Sequence, residues 1–445
     1  LAAGADVVRL NAAHGEADVH RERAQVARNE AAALGRTVGV LVDLPGPKLR
    51  TGPIAGEEVE LMAGQQFTLT GDNIEGSDKR VSTTMPEISR WVRPGDDIYL
   101  ADGAIVLRVD AVEGHDVRCT VVRGGLLRSR KGMHVPRAEH HVEPFTDTDE
   151  AALEWALALR AEFLGLSFVR RPEDVENVRA MLPKRGARPH LIAKIETAVA
   201  LDHLAGIVAA ADAVMVARGD LGIQVPARRV PFIQKEIIRF CNMAGKPVIT
   251  ATQMLETMTH SPLPTRAEVS DVANAVLDGT DALMLSEETA VGAYAVDAVR
   301  TMAEVAEAAE GWPRHRSAPA PGALDDDRVA WAVAHAAVQA AEDLGAAAIL
   351  CPTRGGRTAQ RVATFRPPMP IAGITADPHV RGWLTVVWGV QPLAIADDAG
   401  SGTEEQAVEA ARVSGLVQTG DLVVLVFGAP GPRAGSTDHV RVVRV

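Results

Sequence analysis

The chain has 445 residues, which at ~150 residues per domain makes about three domains rather than one core. Its 46 basic and 58 acidic residues leave a formal charge of −12, and 47% hydrophobic with 23% charged residues is the composition of a folded chain rather than a disordered one. The acidic balance argues against a general nucleic-acid binder, whose surface needs a basic excess. It leaves room for a small phosphorylated ligand held by a local positive cluster.

Cys119, Cys241 and Cys351 stand far apart with no CxxC pair, and read as buried thiols of a reducing compartment, hence a cytoplasmic protein. No apolar run approaches the ~18–20 residues of a membrane span, and Asp6 and Arg9 interrupt the stretch where a signal peptide would be apolar. The chain opens at Leu1 in what reads as a helix end, so a true N-terminus upstream is expected.

In chain order, residues 6–10 and 38–44 are continuous apolar runs, the pattern of parallel strands covered on both faces, with a helix over 20–34 between them. From 51 to 142 short strand-like pieces (57–61, 66–70, 97–100, 104–109, 117–122) alternate with Gly, Pro and Asp turns, which predicts an all-β insert, a small barrel. Strand–helix alternation then resumes, with strands at 163–169, 190–194, 213–216, 247–250 and 282–285. Pro172 takes the first position of a helix carrying Val175, Val178 and Leu182. Thr265 and Glu268 form a capping box for a helix with the apolar face Val269, Val272, Ala273, Val276 and Leu277, closed by Gly279.

Seven strands in this rhythm fit best an α/β chain built as a (β/α)8 TIM barrel whose first strand lies upstream of Leu1; a doubly wound sheet is the alternative. Residues 312–324, rich in Pro, Ala and Gly, read as a linker. Acidic residues 325–327 precede a helix carrying Val329, Val333 and Leu344 that ends near Gly345. Strands at 346–350, 370–375, 422–427 and 440–445 complete a C-terminal α/β domain. The expected division is residues 1–50 and 143–312 for the barrel, 51–142 for the β-barrel insert and 325–445 for the last domain.

Four consecutive strand ends carry chemistry-bearing residues. In HLIAKIETAVAL (190–201), Lys194 and Glu196 lie two apart and face the same side, the barrel interior at its C-terminal mouth. An amine and a carboxylate in an apolar run are costly unless paired or ligated, and a structural ion pair is the alternative reading. AVMVARGDLG (213–222) runs into Arg218, Gly219 and Asp220, where glycines admit an anion to backbone amides. Asp220 offers a hard oxygen that with Glu196 can hold one Mg²⁺; alternatively it is the turn aspartate of an ordinary loop. PVITATQMLETM (247–258) supplies the hydroxyls of Thr250 and Thr252, and DALMLSEETAVG (281–292) ends in Ser286, Glu287, Glu288 and Thr289.

Arg9 and Asn11 alternate along one strand with His14 beyond, and in VDLPGPKLRTG (42–52) Asp43, Lys48 and Arg50 cluster where the insert departs. His134, His140 and His141 near its return lack matched ligand spacing and read as exposed hinge histidines rather than a metal site. With no GxxxxGK[ST] loop and no kinase glycine loop, any nucleotide must be held by charge and metal at the barrel mouth. In CPTRGGRTAQRV (351–362), Thr353, Arg354, Gly355, Gly356, Arg357 and Thr358 either cradle a phosphate where a helix opens or form a plain turn.

The motifs RLNAAHG, PGPKLRTG, IAKIET, VARGDLG, TATQMLETM, PTRAEVSDVANAVLDG and LSEETA, in this order, make the chain resemble the pyruvate kinases from end to end. The resemblance implies transfer of the phosphoryl group of phosphoenolpyruvate to ADP, the last step of glycolysis, in a barrel interrupted by a mobile β lid and followed by a regulatory domain. It implies that Lys194 neutralises the moving phosphoryl group and the enolate oxygen, and that Glu196 and Asp220 ligate Mg²⁺ (or Mn²⁺). Amides near Gly219 and Asp220, with Thr252, would hold the substrate carboxylate. Arg9 and Arg50 would contact phosphates, and Asn11 and His14 would lie on the ADP side. Water near Thr252 and Ser286 would protonate the enolate, and Lys131 and Asp102 would close over the nucleotide. The 353–358 turn matches the family's loop for a phosphorylated effector, and the family is typically a homotetramer; neither a nucleic acid nor a membrane is an expected partner.

The departures from the family pattern point to independence from K⁺. Potassium-dependent members cage the ion with Asn, Ser, Asp and Thr, but Ala13 and Leu44 stand at the Ser and Thr positions. Lys48 stands where those members carry Glu, so a tethered ammonium can supply the missing positive charge. Pro45, Gln224 and Glu287 replace other usual residues. Two rival functions are a metal-dependent lyase or aldolase on a related barrel, disfavoured by the insert and Arg50, and a non-catalytic metabolite sensor, disfavoured by intact Lys194, Glu196, Asp220 and Thr252.

Overall fold

Strands Val7–Asn11, Gly39–Asp43, Phe163–Leu166, His190–Ile195, Ala213–Ala217, Val248–Ala251 and Ala282–Met284 form one seven-stranded sheet in sequence order, every ladder parallel. That order excludes a doubly wound sheet, which needs a reversal of strand order at a switch point. This computed structural model describes residues 1–101, 103–136, 143–312, 328–396, 404–428 and 437–445.

The period of two along each strand sorts side chains into two layers. Leu10, Val40, Val42, Leu164, Leu191, Ala193 and Val214 face the surrounding helices in one core. The alternate positions Leu41, Phe163, Ile192, Met215 and Ile249 fill the lower barrel interior. Two residues further along the same inward-facing rows come Asp43, Gly165 and Lys194. The rows that are oily at the bottom become polar at the C-terminal end, where loops of a parallel barrel converge.

The insert comprises a six-stranded sheet and a two-stranded ladder of Glu58–Leu61 with Gly125–Arg128. Leu127 of the ladder and Phe67, Ile98 and Leu107 of the sheet share one core. The C-terminal sheet has five strands, in the order Val390–Ala394, Ile371–Thr375, Ala348–Pro352, Leu422–Phe427 and His439–Arg444, the last antiparallel. Strand Val390–Ala394 escapes sequence reading because Pro392 interrupts it, which an edge strand tolerates.

Two helices depart from their expected faces. The capping box of Thr265 with Glu268 and the left-handed Gly279 (φ 100°) bound helix Arg266–Asp278 as expected, but Ala275 is buried and Leu277 faces out. In Arg328–Leu344, Val329 and Leu344 are exposed, while Ala330, Ala334, Ala337 and Ala341 are buried, because small side chains let the helix lie close on its sheet. Strand Phe163–Leu166 stops short of residue 169 because Phe168 turns left-handed (φ 56°). The expected linker beyond Trp312, and 325–327, lie outside the described residues. The three cysteines are free and buried, with the Cys119 thiol pushed up to about 12 by burial, as expected of inert thiols.

The C-terminal unit closes the bottom of the barrel: Trp383, Leu384 and Val338 share one core with Phe163 and Ile192. A Cβ on Gly39 would stand 2.6 Å from Thr385 Oγ1, so this glycine permits the approach. His190, first residue of the fourth barrel strand, stacks on Trp383 at 4.1 Å and on His379 at 5.3 Å, and His379 Nε2 donates to the Arg188 carbonyl at 2.8 Å. Arg366 pairs with Asp281 at 3.0 Å across the same seam.

Burial in this stack pulls His190 down to about 4 from 6.5, with Asp212 opposing and His379, Arg179 and Lys246 assisting. The unfolded chain therefore binds the proton first. The stability present above pH 6.5 is lost as pH falls through that window toward 4, by about 3 kcal/mol for this residue. His190→Phe is expected to flatten thermal stability against pH over that range; curves for variant and wild type that fall in parallel would refute the assignment.

Candidate active site

Lys194 stands near the end of strand His190–Ile195, almost fully buried, and its ammonium is held from three directions. It lies 2.8 Å from Glu196 Oε1, 3.1 Å from Asp43 Oδ2, and donates to Ser167 Oγ at 2.8 Å. Asp43 Oδ2 also accepts from Arg9 Nε at 2.9 Å, and Glu196 Oε2 accepts the Phe168 amide at 2.7 Å. Two cations and two carboxylates thus neutralise one another in a largely buried layer, the condition under which buried charge is tolerated.

The titration directions follow from this packing. Burial alone would lower the Lys194 pKa, but Asp43 and Glu196 overcome it and hold the ammonium well above its ordinary value. Burial would raise Asp43, but Lys194 and Arg9 reverse that and keep it ionised. Glu196 goes up, first by burial and then through the Asp220 carboxylate, with Lys194 only partly offsetting. Lys194 and Glu196 do form the expected same-side pair, but within a network that includes Asp43 and Ser167. Ser167 carried the same signal as Thr252, a hydroxyl at a strand end, and sequence reasoning passed over it.

The fifth strand delivers Arg218, Gly219 and Asp220 at the start of helix Arg218–Gln224. The Gly219 amide donates to Thr252 Oγ1 at 2.8 Å, so two members of the expected carboxylate cradle meet directly. A Cβ on Gly219 would make ordinary contact with Thr252 Oγ1, at 3.5 Å. Asp220 Oδ1 pairs with Lys48 Nζ at 3.0 Å. The Lys48 ammonium, expected to stand in for a monovalent ion, is thus beside one of the two carboxylates expected to hold metal.

Arg9, Lys48 and Arg50 surround His14, whose pKa is lowered by partial burial and then by Arg50, Lys48 and Arg9. This is the local positive cluster that an acidic chain needs for a phosphorylated ligand. Asn11 Oδ1 accepts the Ala13 amide at 3.1 Å, and the Leu44 side chain is buried in the apolar core. Arg50 and Lys131 lie at the insert's root, where Arg50 Nη1 donates to the Arg130 carbonyl at 3.2 Å and the Lys131 amide bonds Thr51. Ser286 lies two residues past the last strand, its amide given to Glu288 Oε2 at 2.7 Å; Glu288 also takes the Leu255 amide at 3.1 Å and ties two loops together. Asp102, His140 and His141 lie outside the described residues.

A cleft opens between insert and barrel, bounded by Lys48, Tyr99, Met133, Phe168, Asp220 and Gln224. His134 is not an exposed hinge histidine: it is half-buried, stacks on Tyr99, and its Nδ1 lies 2.9 Å from Gln224 Nε2 across the seam. In the C-terminal unit the Thr353 hydroxyl takes the Gly356 amide at 3.0 Å, Gly356 is left-handed (φ 81°), and helix Arg357–Thr364 follows with Thr358 bonded to Thr437 at 2.8 Å. Arg354, Gly355 and Arg357 are exposed. Among the described residues no group of three or more His, Cys, Asp or Glu gathers as a metal site. No helix among them is long and apolar enough to cross a membrane.

Comparison with known proteins shows the family. A profile of the pyruvate kinase barrel domain matches residues 1–299, and one of the pyruvate kinase alpha/beta domain matches residues 331–443. The chain belongs to the pyruvate kinase family. It is 41% identical to a pyruvate kinase of Geobacillus stearothermophilus over 99% of this chain and 76% of that one. It is 42% identical to one of Mycobacterium tuberculosis, over 100% and 93% of the two chains. A Thermotoga maritima pyruvate kinase is 39% identical over 99% and 94%. Membership makes the chain a phosphotransferase enzyme and sets aside both the lyase and the sensor readings.

Proposed function

We propose that the protein transfers the phosphoryl group of phosphoenolpyruvate to ADP, giving pyruvate and ATP as the last step of glycolysis. The observation that carries this reading is the buried Lys194, held by Asp43, Glu196 and Ser167 at the barrel mouth beside Asp220. The bond from the enol oxygen to phosphorus breaks, a bond from phosphorus to a terminal ADP oxygen forms, and the enolate left behind takes a proton at carbon. A loose phosphoryl-transfer transition state asks for positioned positive charge more than for covalent help.

Lys194 supplies that charge to the phosphoryl group and to the enolate oxygen, and Arg9, oriented by Asp43, meets the phosphate. Thr252 and the Gly219 and Asp220 amides take the carboxylate. Water near Thr252 and Ser286 delivers the proton. Arg50, His14 and Asn11 face ADP, with Lys131 and Asp102 closing from the insert. Glu196 and Asp220 suit a hard divalent cation: the Glu196 pKa is raised first by burial and further by the Asp220 carboxylate beside it. They would hold Mg²⁺ or Mn²⁺, which supplies charge that draws substrate carboxylate and phosphate together.

Independence from K⁺ is supported by three features: Leu44 is buried in the core, Ala13 has no ligating side chain, and Lys48 brings an ammonium to Asp220. The turn at 353–358, with Arg354, Gly355 and Arg357 exposed, is proposed as the site of a phosphorylated effector, in a cytoplasmic homotetramer. A lactate-dehydrogenase-coupled assay with phosphoenolpyruvate, ADP and Mg²⁺ in tetramethylammonium buffer tests the reading. Turnover without K⁺ is expected. Absence of ADP-dependent pyruvate formation sinks the activity, and a large stimulation by added K⁺ sinks the cation assignment alone.

A further inference from the structure

Residues Thr252 and Gln253 follow the sixth barrel strand in consecutive left-handed conformations (φ 66° and 54°), which side chains other than glycine rarely adopt. Such a pair persists only where its surroundings over-determine it, and here one side chain does so. The Arg218 guanidinium, 8% exposed, converges on this turn. Its Nε donates to the carbonyls of Ala251 and Thr252, both at 3.2 Å. Its Nη2 donates to the carbonyls of Thr252 (2.6 Å) and Gln253 (3.1 Å) and meets Met254 Sδ at 2.8 Å. Its Nη1 donates to Asp271 Oδ2 (2.5 Å) and Gln234 Oε1 (3.3 Å), which balance and aim the cation.

We infer that Arg218 is a positioning residue for the substrate's carboxylate: it clasps the left-handed turn and so presents the Thr252 hydroxyl to the Gly219 amide. The main chain of Arg218 leads directly into Gly219, while its side chain holds Thr252 from below. A single residue therefore sets both members of the amide–hydroxyl pair proposed to take the carboxylate. The planar fork of five N–H donors suits carbonyls that converge from a tight turn; a lysine has the charge but not the fork. Asp271, on helix Arg266–Asp278, completes the clasp from a partly exposed position, so it can be altered without opening the core.

The inference rests on the proposed role of Thr252 and Gly219, and the experiment separates the two. Initial rates are measured against phosphoenolpyruvate and ADP for R218K, D271N, T252V and the R218K/T252V double variant, with thermal melts alongside. R218K and D271N are expected to raise KM for phosphoenolpyruvate about tenfold or more while KM for ADP stays within about twofold. In the double variant the second substitution should add little, because both act on the same amide–hydroxyl pair. If R218K does not fold, D271N carries the same test. Equal shifts in both KM values, additive effects, or a lower melting temperature with KM for phosphoenolpyruvate unchanged would each overturn the clasp. An unchanged KM for phosphoenolpyruvate in T252V would overturn the carboxylate assignment itself, and the clasp with it.

Discussion

Lys194→Met is expected to abolish turnover, lowering kcat by at least about a thousandfold while divalent-ion binding persists. Methionine keeps much of the side-chain volume but removes the one ammonium that contacts Asp43, Glu196 and Ser167 together. The substitution leaves two buried carboxylates with Arg9 alone to balance them. Removing one partner of a buried pair costs about 3–5 kcal/mol, so the melting temperature should fall as well. Glu196 can relieve part of that cost by taking a proton, since burial and Asp220 already push its pKa up. A thermal melt separates loss of fold from loss of chemistry, and Mn²⁺ paramagnetic resonance titration reports on Glu196 and Asp220. A folded variant that keeps a tenth of the wild-type kcat would remove Lys194 from the mechanism.

Gly165→Ala is expected to cripple the enzyme from a position that offers no functional group. A Cβ there would stand 2.3 Å from Asp43 Oδ1 and 3.2 Å from its Cγ, so the carboxylate must move. Asp43 is 1% exposed and its Oδ1 makes no hydrogen bond to the described residues, so the oxygen is held in place by the shape of its surroundings. Forcing a methyl into this layer costs about 1–3 kcal/mol by overpacking. Displacing Asp43 also releases Arg9 and tilts the field on Lys194, so kcat should fall more than about tenfold. Wild-type kcat/KM in G165A would mean that the position of Asp43 does not matter to catalysis.

The readable part of the fold was the part governed by neighbours along the chain. The capping box at Thr265, Pro172 opening its helix, and the continuous apolar strands all arise from backbone hydrogen bonding and local burial, and they stand as expected. Where packing against another element decides a side chain's fate, the pattern misled. Leu277 and Val329 look apolar enough for a core but face outward, and alanines take the contacts instead. Short ladder strands such as Arg80–Ser82 and Met133–His134 exist through their partners, with too few residues to show a period of their own.

The candidate site divides in the same way. Alternation along the fourth strand by itself determined that Lys194 and Glu196 share a side, and motif order assigned residue types to strand ends. Only the tertiary structure decided which charges meet: Asp43 with Lys194, Lys48 with Asp220 across 172 residues of sequence, Arg218 with the turn after Ala251. A strand's own periodicity tells which way a side chain points. Its partner is chosen by the register and curvature of the whole barrel, and the free energy of a buried charge depends on that partner.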